Sequence, residues 1–587
     1  MIGAKPTYMS DWGPDEDVSR LIRKYALQNA LQYDGKGQVG SVQGRVLGEN
    51  IELREQAQFL YAIIAPMVEE ANNIWAEKGA DEVRRILEEE APEALEKRVK
   101  ERREGLPELP NATDGQVVLR FAPNPNGPLT LGHSRGVIIN SEYARMYSGK
   151  IILRFDDTDT KIKRPDLEAY DWIQDDFTWL TGSNPDIVIE ASARMDTYLE
   201  FAQQFISEGH MYVCTCSAED FRELRVSMKN CPCRDNSNTD NLAKWKKMNN
   251  TVDGFSEGEA VVRVRTSMDN KNPALRDWPA LRIQTAPHPK VGDTYRVWPL
   301  LDFQSAVEDH EQGVTHIIRG KDLMDSTRKQ QLLYDKIGWS YPETLYWGRV
   351  KVHEFGGFST SQMKKDIQSG QYTGWDDPRL PTLRALRRRG YDAGAMREFW
   401  IDMGLTQKDI SVPMSTLNSL NAKAVNAEAP RLSFVREPVS IWLDLSDCEP
   451  PTKVTLPVHP EYPNKGVREW PLREEAIKVK IARDDFTSRE GRRLKDFADI
   501  GIKHQKTMRG WEGEISRFER VGNTPIIHWL PSNMAKPAVL LLEEDGELIA
   551  AEGLLEINDY PVGTVIQLER MGFARIESDE AMIWTHS

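Results

Sequence analysis

Hydrophobic and polar positions alternate near residue 120 in an order that predicts a β-α-β unit. Residues 116–121 (QVVLRF) are rich in β-branched side chains and predict a strand. Residues 137–147 carry apolar side chains at helical spacing, and Gly149 and Lys150 end that pattern before a second strand-like run at 151–155. Two strands separated by one helix predict a parallel pair with a crossover helix.

The remaining pattern divides the chain into regions of different character. Helical periodicity dominates residues 21–33 and 56–76, and 81–103 is a highly charged helix-like stretch that is followed by a Pro- and Gly-containing linker at 105–111. Helical periodicity returns from residue 380 to about 429. The last third holds short β-rich runs at 439–443, 538–542, 547–550 and 564–568, with a hairpin signal at Asp545 and Gly546.

These regions predict a multidomain chain with an α/β Rossmann-type core. At 587 residues it should hold three or more domains, since a single core rarely exceeds about 250–300 residues. We expect a helical N-terminal domain with its linker (1–112), the first half of the core (113–204), an inserted domain (205–290), the second half of the core (291–375), a helical connecting domain (376–430) and C-terminal β-barrels (431–587).

Composition limits the function classes. No apolar run reaches the ~18 residues that a membrane span needs, and the N-terminus lacks a signal-peptide core, so we expect a soluble, cytoplasmic protein. A net charge of −15 argues against indiscriminate nucleic-acid binding. RNA could still bind a local basic surface, of which the arginine-rich run 379–389 is the densest; a solvated helix face is the alternative for that run.

Four of the five cysteines form two tight pairs. Paired thiolates at this spacing suit a tetrahedral, structural zinc site, with redox-active thiols or unrelated buried cysteines as alternatives. The predicted ligands are Cys214, Cys216, Cys231 and Cys233. Cys448 stands alone and is expected to be a small buried hydrophobe.

The segment 120–135 (RFAPNPNGPLTLGHSR) carries the clearest chemistry. It joins the predicted strand to the predicted helix through a turn stiffened by proline and glycine, where free helix N–H groups can bind phosphate. Gly132 would let the backbone approach ATP closely, and His133 would place an imidazole beside the triphosphate. The segment matches neither the dinucleotide glycine fingerprint nor the lysine-bearing phosphate loop.

This segment resembles the HIGH signature of class I aminoacyl-tRNA synthetases, in the form written by the glutamyl and glutaminyl branch. Thr130 stands where that signature has its first histidine. The resemblance implies an ATP site in which Thr130, Gly132 and His133 act in catalysis. It assigns ATP contacts in this segment to Pro123, Asn124, Pro125, Gly127, Leu131, Gly132 and His133.

A second ATP motif of the family, Lys-Met-Ser-Lys-Ser, is matched only by residues 357–361 (GFSTS). Both lysines are missing, although their charge normally stabilises the leaving pyrophosphate. Ser359, Thr360 and Ser361 can donate hydrogen bonds to ATP, and Lys364 or Lys365 follows one helical turn later with the required charge. A polar surface turn is the alternative interpretation of this segment alone.

Other matches concern the amino-acid substrate. The segment 154–159 (RFDDTD) resembles the family's acidic motif, and the resemblance assigns the ammonium contact to Asp156 and the carboxylate contact to Arg120, with Tyr295 lining the same pocket. A buried γ-carboxylate requires a cation, and Arg319 supplies one where glutaminyl enzymes carry a neutral residue. The substrate is therefore predicted to be glutamate.

From about residue 15 to the C-terminus, the chain is similar to the archaeal type of the glutamyl branch. The resemblance implies a cytoplasmic glutamate–tRNA ligase that uses ATP and Mg²⁺, contains an inserted acceptor-stem domain and C-terminal anticodon-binding barrels, and has no membrane or DNA partner. The alternatives are a glutaminyl enzyme, which Arg319 argues against, a truncated paralogue that modifies a tRNA base, which the β-rich tail argues against, and an inactive tRNA-binding paralogue. The sequence leaves open whether tRNA-Gln is charged besides tRNA-Glu, and which oligomer forms.

Overall fold

A computed structural model describes residues 13–50, 53, 56–95, 105–355, 359–445, 449–472, 476–487, 492–508 and 510–587. Cys448, Gly357 and Phe358, about which the sequence made predictions, lie outside these residues. The chain separates into two compact units, Met1–Arg103 and Glu104–Ser587. None of the described helices is long and apolar enough to cross a membrane.

The N-terminal unit consists of helices that pack through one apolar core. Asp15 caps the first helix by accepting a hydrogen bond from the Val18 N–H, and Arg23 bridges Glu70 and Glu90. Gly79 has a φ of +84° and kinks the third helix. The helices are α1 (Glu16–Gln32), α2 (Val39–Glu49) and α3 (Ala57–Glu90).

The catalytic core is a parallel sheet with helical crossovers, as the sequence predicted. Strand β1 pairs with β2 and β2 with β3, while β8 pairs with β9. Thr315, directly before β8, donates its N–H to the Val118 carbonyl of β1 at 3.0 Å, so β8 begins beside β1. The core elements are β1 (Val118–Phe121), α4 (Leu131–Met146), β2 (Lys150–Phe155), α5 (Leu167–Thr181), β3 (Ile187–Glu190), α6 (Met195–Ser207), α9 (Leu301–Glu311), β8 (His316–Gly320), α10 (Met324–Ile337) and β9 (Glu343–Trp347).

A four-stranded antiparallel sheet interrupts this core, in the order β4-β5-β6-β7. Its last strand lies beyond residue 290, where the sequence analysis ended the insertion, because Val297–Pro299 pairs with β6 instead of joining the parallel sheet. The inserted elements are β4 (Met211–Cys214), α7 (Ala218–Val226), α8 (Asn238–Asn249), β5 (Val261–Val264), β6 (Pro279–Ile283) and β7 (Val297–Pro299).

Helices connect the core to the C-terminal sheets. The predicted helical region 380–429 also holds strand β11, which pairs in parallel with β10. The connecting elements are β10 (Val350–Val352), α11 (Thr360–Gln368), α12 (Leu383–Arg389), α13 (Ala393–Met403), β11 (Ile410–Val412) and α14 (Met414–Asn426).

Two barrel-like seven-stranded sheets and one separate hairpin make up the last third. The Asp545-Gly546 hairpin is confirmed: Glu544 pairs with Glu547, and both turn residues have positive φ, +52° and +82°. The strands are β12 (Arg431–Leu432), β13 (Phe434–Arg436), β14 (Pro438–Asp444), β15 (Lys453–Pro457), β16 (Val467–Pro471), β17 (Ala476–Ala482), β18 (Arg492–Leu494), β19 (Asp499–Thr507), β20 (Gly510–Arg517), β21 (Ile526–Ile527), β22 (Leu530–Pro531), β23 (Ala535–Glu544), β24 (Glu547–Glu556), β25 (Val565–Leu568), β26 (Gly572–Ser578) and β27 (Ala581–His586), with the short helix α15 (Arg483–Thr487) after β17.

Candidate active site

The loop between β1 and α4 ends in a capping box. Thr130 caps α4: its hydroxyl accepts from the His133 N–H at 3.4 Å, and His133 Nδ1 accepts from the Thr130 N–H at 3.2 Å. Because Nδ1 is an acceptor, the neutral imidazole carries its proton on Nε2. The cap thus fixes the His133 tautomer, and Thr130 is buried in this role.

Backbone and side-chain contacts hold this loop against the end of β2. The Asp156 N–H donates to the Pro123 carbonyl at 2.9 Å, and Asn124 Nδ2 donates to the Asp156 carbonyl at 2.8 Å. The Asp166 N–H donates to the Pro125 carbonyl at 2.8 Å. The predicted nucleotide loop and the predicted acidic motif therefore share one rim of the sheet.

The two predicted ATP motifs meet at Gly127. A Cβ atom on Gly127 would lie 2.7 Å from Thr360 Cγ2 and 3.1 Å from the Trp375 ring, so only glycine fits without displacement. Ser359 caps α11, which begins at Thr360, while Ser361 is exposed in its first turn. Lys364 Nζ lies 3.1 Å from Asp166 Oδ2, which brings its charge to the same loop.

Beside this loop a cavity of about 190 Å³ opens at the carboxyl ends of β1, β2 and β8. Arg120 lies near the end of β1, Asp156 follows β2 and Arg319 lies near the end of β8, so the topology brings three predicted substrate residues together. The lining residues are Arg120, Phe121, Ala122, Gly136, Asn140, Arg154, Asp156, Leu301, Ser305, Ile318, Arg319, Gly320, Leu323, Ser326, Gln330 and Trp347.

Buried ion pairs organise the cavity wall. Arg154 is 1 % exposed and donates to Asp156 at 2.7 Å and to Asp309 at 2.8 Å. Arg120 Nε lies 3.3 Å from the same Asp309 oxygen. Burial opposes ionisation of Asp309, but Arg120 and Arg154 outweigh it and lower the pKa of that carboxyl. Asp309 is therefore a carboxylate at neutral pH.

Arg319 stands outside these pairs. It is 6 % exposed, and no carboxylate of the described residues lies within 4 Å of its guanidinium. Its Nε atom is buried without a hydrogen-bond partner in the described part of the chain. Buried polar atoms are normally paired, so an orphaned donor indicates a place for a ligand group or water. The buried guanidinium groups of the wall are therefore three, and the buried carboxylates that face them are two. They belong to Arg120, Arg154 and Arg319, and to Asp156 and Asp309.

The four predicted zinc ligands form one cluster in the inserted domain. Cys214 ends β4, Cys231 caps a 3-10 turn at Pro232–Asp235, and Cys233 lies within that turn. All four Sγ atoms lie within 4.8 Å of one another, with Cys216 to Cys231 at 3.3 Å and Cys214 to Cys231 at 3.6 Å. Tetrahedral zinc with bonds of about 2.3 Å would separate its sulfur ligands by about 3.8 Å. The cluster therefore fits a metal ion without rearrangement of the backbone.

Comparisons with known proteins agree with this geometry. Residues 116–427 match the catalytic domain of the class I (E and Q) tRNA synthetases, and residues 429–519 match their anti-codon binding domain. The chain is 44% identical to a glutamate–tRNA ligase of Methanosarcina acetivorans over 96% of its length and 97% of that protein. The chain belongs to the class I E and Q synthetases. Similar relatives include the glutamate–tRNA ligases of Archaeoglobus fulgidus (43% identity, covering 97% of this chain and all of that one) and Pyrococcus furiosus (41%, covering 96% and 98%).

Within this synthetase, Tyr295 does not lie where the sequence analysis expected it. It is absent from the cavity lining given above; its hydroxyl donates to Asp196 at 2.9 Å, and its ring packs edge-on against Trp298. Tyr295 precedes β7, which belongs to the inserted sheet, and the chain reaches the cavity only at the start of α9. Leu301, the first residue of α9, lines the cavity instead.

The arginine-rich run 379–389 also differs from a simple RNA-binding surface. Arg388 pairs with Glu577 of β26 at 2.6 Å, and Arg389 donates to the Thr585 carbonyl of β27 at 2.7 Å. These side chains attach α12 to the C-terminal sheet. Arg384 and Arg387 instead stack on Trp172 and Trp179 of α5.

A Gly127→Ala variant tests the contact between the two ATP motifs. The added Cβ would displace Thr360 or Trp375, so we expect the Michaelis constant for ATP in aminoacylation to rise roughly tenfold. Gly44→Ala is the matched control, because nothing lies within 4 Å of its new Cβ on α2. An unchanged Michaelis constant for ATP in Gly127→Ala would contradict a functional contact between the two motifs.

The protonation of His133 can be followed by NMR. The imidazole opens to the cleft, yet the surrounding protein desolvates it and Lys163 adds positive charge, which lowers the pKa of His133 to about 4. The unfolded chain takes up this proton near pH 6.5 and the folded protein only near pH 4, so His133 weakens the fold as the pH falls through that window.

We therefore expect the ¹³Cε1 resonance of His133 to stay constant from pH 8 to about pH 5. A His133→Gln variant assigns the signal. Titration with a midpoint near 6.5 would show that the cap does not exclude the proton.

Proposed function

We propose that this synthetase activates glutamate with ATP and transfers it to tRNA-Glu. The single observation that carries the proposal is the surplus positive charge of the cavity. Glutamate carries one ammonium and two carboxylates, so its net charge of −1 balances three arginines opposed by two aspartates. Glutamine is neutral and would leave a buried guanidinium without an anion, which is costly.

In the proposed complex, each charged group of glutamate contacts a different charged residue of the cavity wall. Arg319 would pair with the γ-carboxylate, Asp156 would accept from the α-ammonium, and Arg120 would orient the α-carboxylate. Asp156 already accepts from Gln304 Nε2 at 2.6 Å and from Arg154, so its carboxylate is held in place before the substrate binds. Preorganisation of this kind lowers the entropic cost of reaching the reactive geometry.

The reaction is an in-line displacement. The α-carboxylate oxygen attacks the α-phosphorus of ATP, the bond to the pyrophosphate oxygen breaks, and glutamyl-adenylate forms. The terminal ribose hydroxyl of tRNA then attacks the activated carbonyl and releases AMP. No protein nucleophile is needed.

We assign the binding of the ATP phosphates to the loop around Gly127 and to the start of α11. His133 Nε2–H, Ser359, Thr360 and the nearby Lys364 would stabilise the charge that develops on the leaving pyrophosphate. Mg²⁺, when bound with ATP, would neutralise phosphate charge and assist in orienting the leaving group. We propose that the remaining contacts of the loop with ATP come from Pro123, Asn124, Pro125, Leu131 and Gly132. The two prolines have no N–H group to donate to a phosphate, so their contacts would be apolar.

We propose that tRNA binds the C-terminal sheets in addition to the active site. A pocket of about 390 Å³ there is lined by Gln567, which can read a base edge, by the cations Arg431, Lys495 and Arg570, and by Glu569, which pairs with Lys495 at 2.6 Å. An unstacked anticodon base with its phosphate suits such a lining. A synthetase acts where its tRNA is, which gives the proposed cytoplasmic location.

The first experiment is ATP-dependent charging of labelled glutamate, with glutamine in a parallel reaction, on separately purified tRNA-Glu and tRNA-Gln. Glutamate on tRNA-Glu supports the proposal, and glutamate on tRNA-Gln adds the broader tRNA scope. Glutamine on either RNA, or no charging at all, would contradict it.

An Arg319→Leu variant tests the origin of the specificity. Loss of the cation should lower kcat/KM for glutamate at least ~1000-fold without creating comparable use of glutamine. Arg328→Leu on the neighbouring helix α10 is the control. Arg328 is absent from the cavity lining, is half exposed and pairs only with Asp325 among the described residues. Equal behaviour of the two variants would refute the assignment of Arg319.

We further propose that the cysteine cluster holds structural zinc, since four thiolates leave no open coordination position for a substrate. The purified protein should contain one zinc per chain by elemental analysis. Cys231→Ser should lose the metal and lower the melting temperature, whereas Cys448→Ser, outside the four predicted ligands, should retain the metal. Full thermal stability of metal-free Cys231→Ser would contradict a structural role.

A further inference from the structure

Neutral side chains hold Arg319 in place. The two N–H groups of its Nη2 atom are shared among three oxygens: Thr327 Oγ1 at 2.6 Å, Gln330 Oε1 at 3.0 Å and the Tyr341 hydroxyl at 2.9 Å. Thr327 and Gln330 are buried on α10, and Tyr341 precedes β9. The guanidinium is therefore oriented by three acceptors, and none of them carries charge.

The orientation of the Gln330 amide follows from its other contacts. Its Nε2 atom lies 3.1 Å from the Asp302 carbonyl, which can only accept, so the amide nitrogen must face Asp302. The amide oxygen then faces Arg319 and also accepts from the Tyr341 hydroxyl at 2.7 Å. Gln330 thus connects the start of α9 to Arg319 through one fixed side chain.

A carboxylate in this position would have a different effect. Glutamate has the same shape as glutamine, but its negative charge would lie about 3.0 Å from Arg319 Nη2 and would pair with it. The cavity would then hold three cations and three anions. The surplus charge that is proposed to select the γ-carboxylate of the substrate would vanish.

We propose that Gln330 is a specificity-determining positioning residue, which orients Arg319 through a neutral acceptor and so leaves its charge for the γ-carboxylate of the substrate. This inference rests on the proposed use of glutamate. In this inference, the preference for glutamate over glutamine depends on Arg319 and also on the absence of charge on Thr327, Gln330 and Tyr341, which contact it.

Two variants separate charge from packing. Gln330→Glu adds the anion, while Gln330→Met has a similar length and adds none; both lose the hydrogen bond to the Asp302 carbonyl. We expect KM for glutamate to rise on the order of 100-fold in Gln330→Glu and about tenfold or less in Gln330→Met, with kcat changed far less in both. Glutamine needs no cation, so in Gln330→Glu its inhibition constant as a competitor of glutamate should change at least about tenfold less than KM for glutamate.

Thermal melts of both variants accompany the kinetics. Equal losses in Gln330→Glu and Gln330→Met, or an unchanged KM in Gln330→Glu, would overturn the inference. If Gln330→Glu does not fold, Tyr341→Phe tests the same network: removal of its hydroxyl should raise KM for glutamate and preserve kcat, and an unchanged KM overturns the inference. Wild-type protein that fails to charge glutamate refutes the proposed function instead, so the two failures are distinguishable.

Discussion

The arrangement of the active site depends on how charges are balanced where the parallel strands end. Isolated ions are costly to bury, so Arg154, Asp156 and Asp309 can lie inside the protein only as a hydrogen-bonded group. Arg154 occupies the centre of this group and ties β2 to α9. Removing any member would leave its partners as uncompensated charges, and for this reason the group fixes the wall of the cavity as a unit.

The same balance would make the cavity selective for a substrate with a negatively charged side chain, as proposed. If every arginine had its own carboxylate, the wall would be neutral and a charged substrate would gain little over an uncharged one. Arg319 is instead held by Thr327, Gln330 and Tyr341, whose oxygens orient the guanidinium without neutralising it. The protein bears a buried cation that only a bound anion fully compensates, which makes discrimination a property of the whole wall.

Much of this architecture could be predicted from local sequence. The β-α-β unit, the hairpin at Asp545 and Gly546 and the cysteine cluster each follow from residues close together in the chain. The cavity lining could not be predicted in the same way, because Leu301, Ser305 and Gln330 belong to helices whose inward faces are set by tertiary packing. Tyr295 was misplaced for the same reason, since no local pattern indicated that the inserted sheet extends to β7. A useful signal was the helical spacing of Leu301 and Ser305, which places both on one face of α9.

The lysine-poor form of the second ATP motif also has a physical explanation in the contacts of Lys364. This side chain pairs with Asp166, and Asp166 in turn donates its N–H to the Pro125 carbonyl of the first motif. The pair is partly exposed to solvent, so its net stabilisation is small, about 0–1 kcal/mol. A triphosphate carries several negative charges and would compete effectively for the ammonium group. Under the proposed ATP assignment, Asp166 holds Lys364 near the phosphates, and Lys364 can still be transferred to ATP at little cost. The close approach of Gly127 and Thr360 keeps both motifs near enough for this exchange.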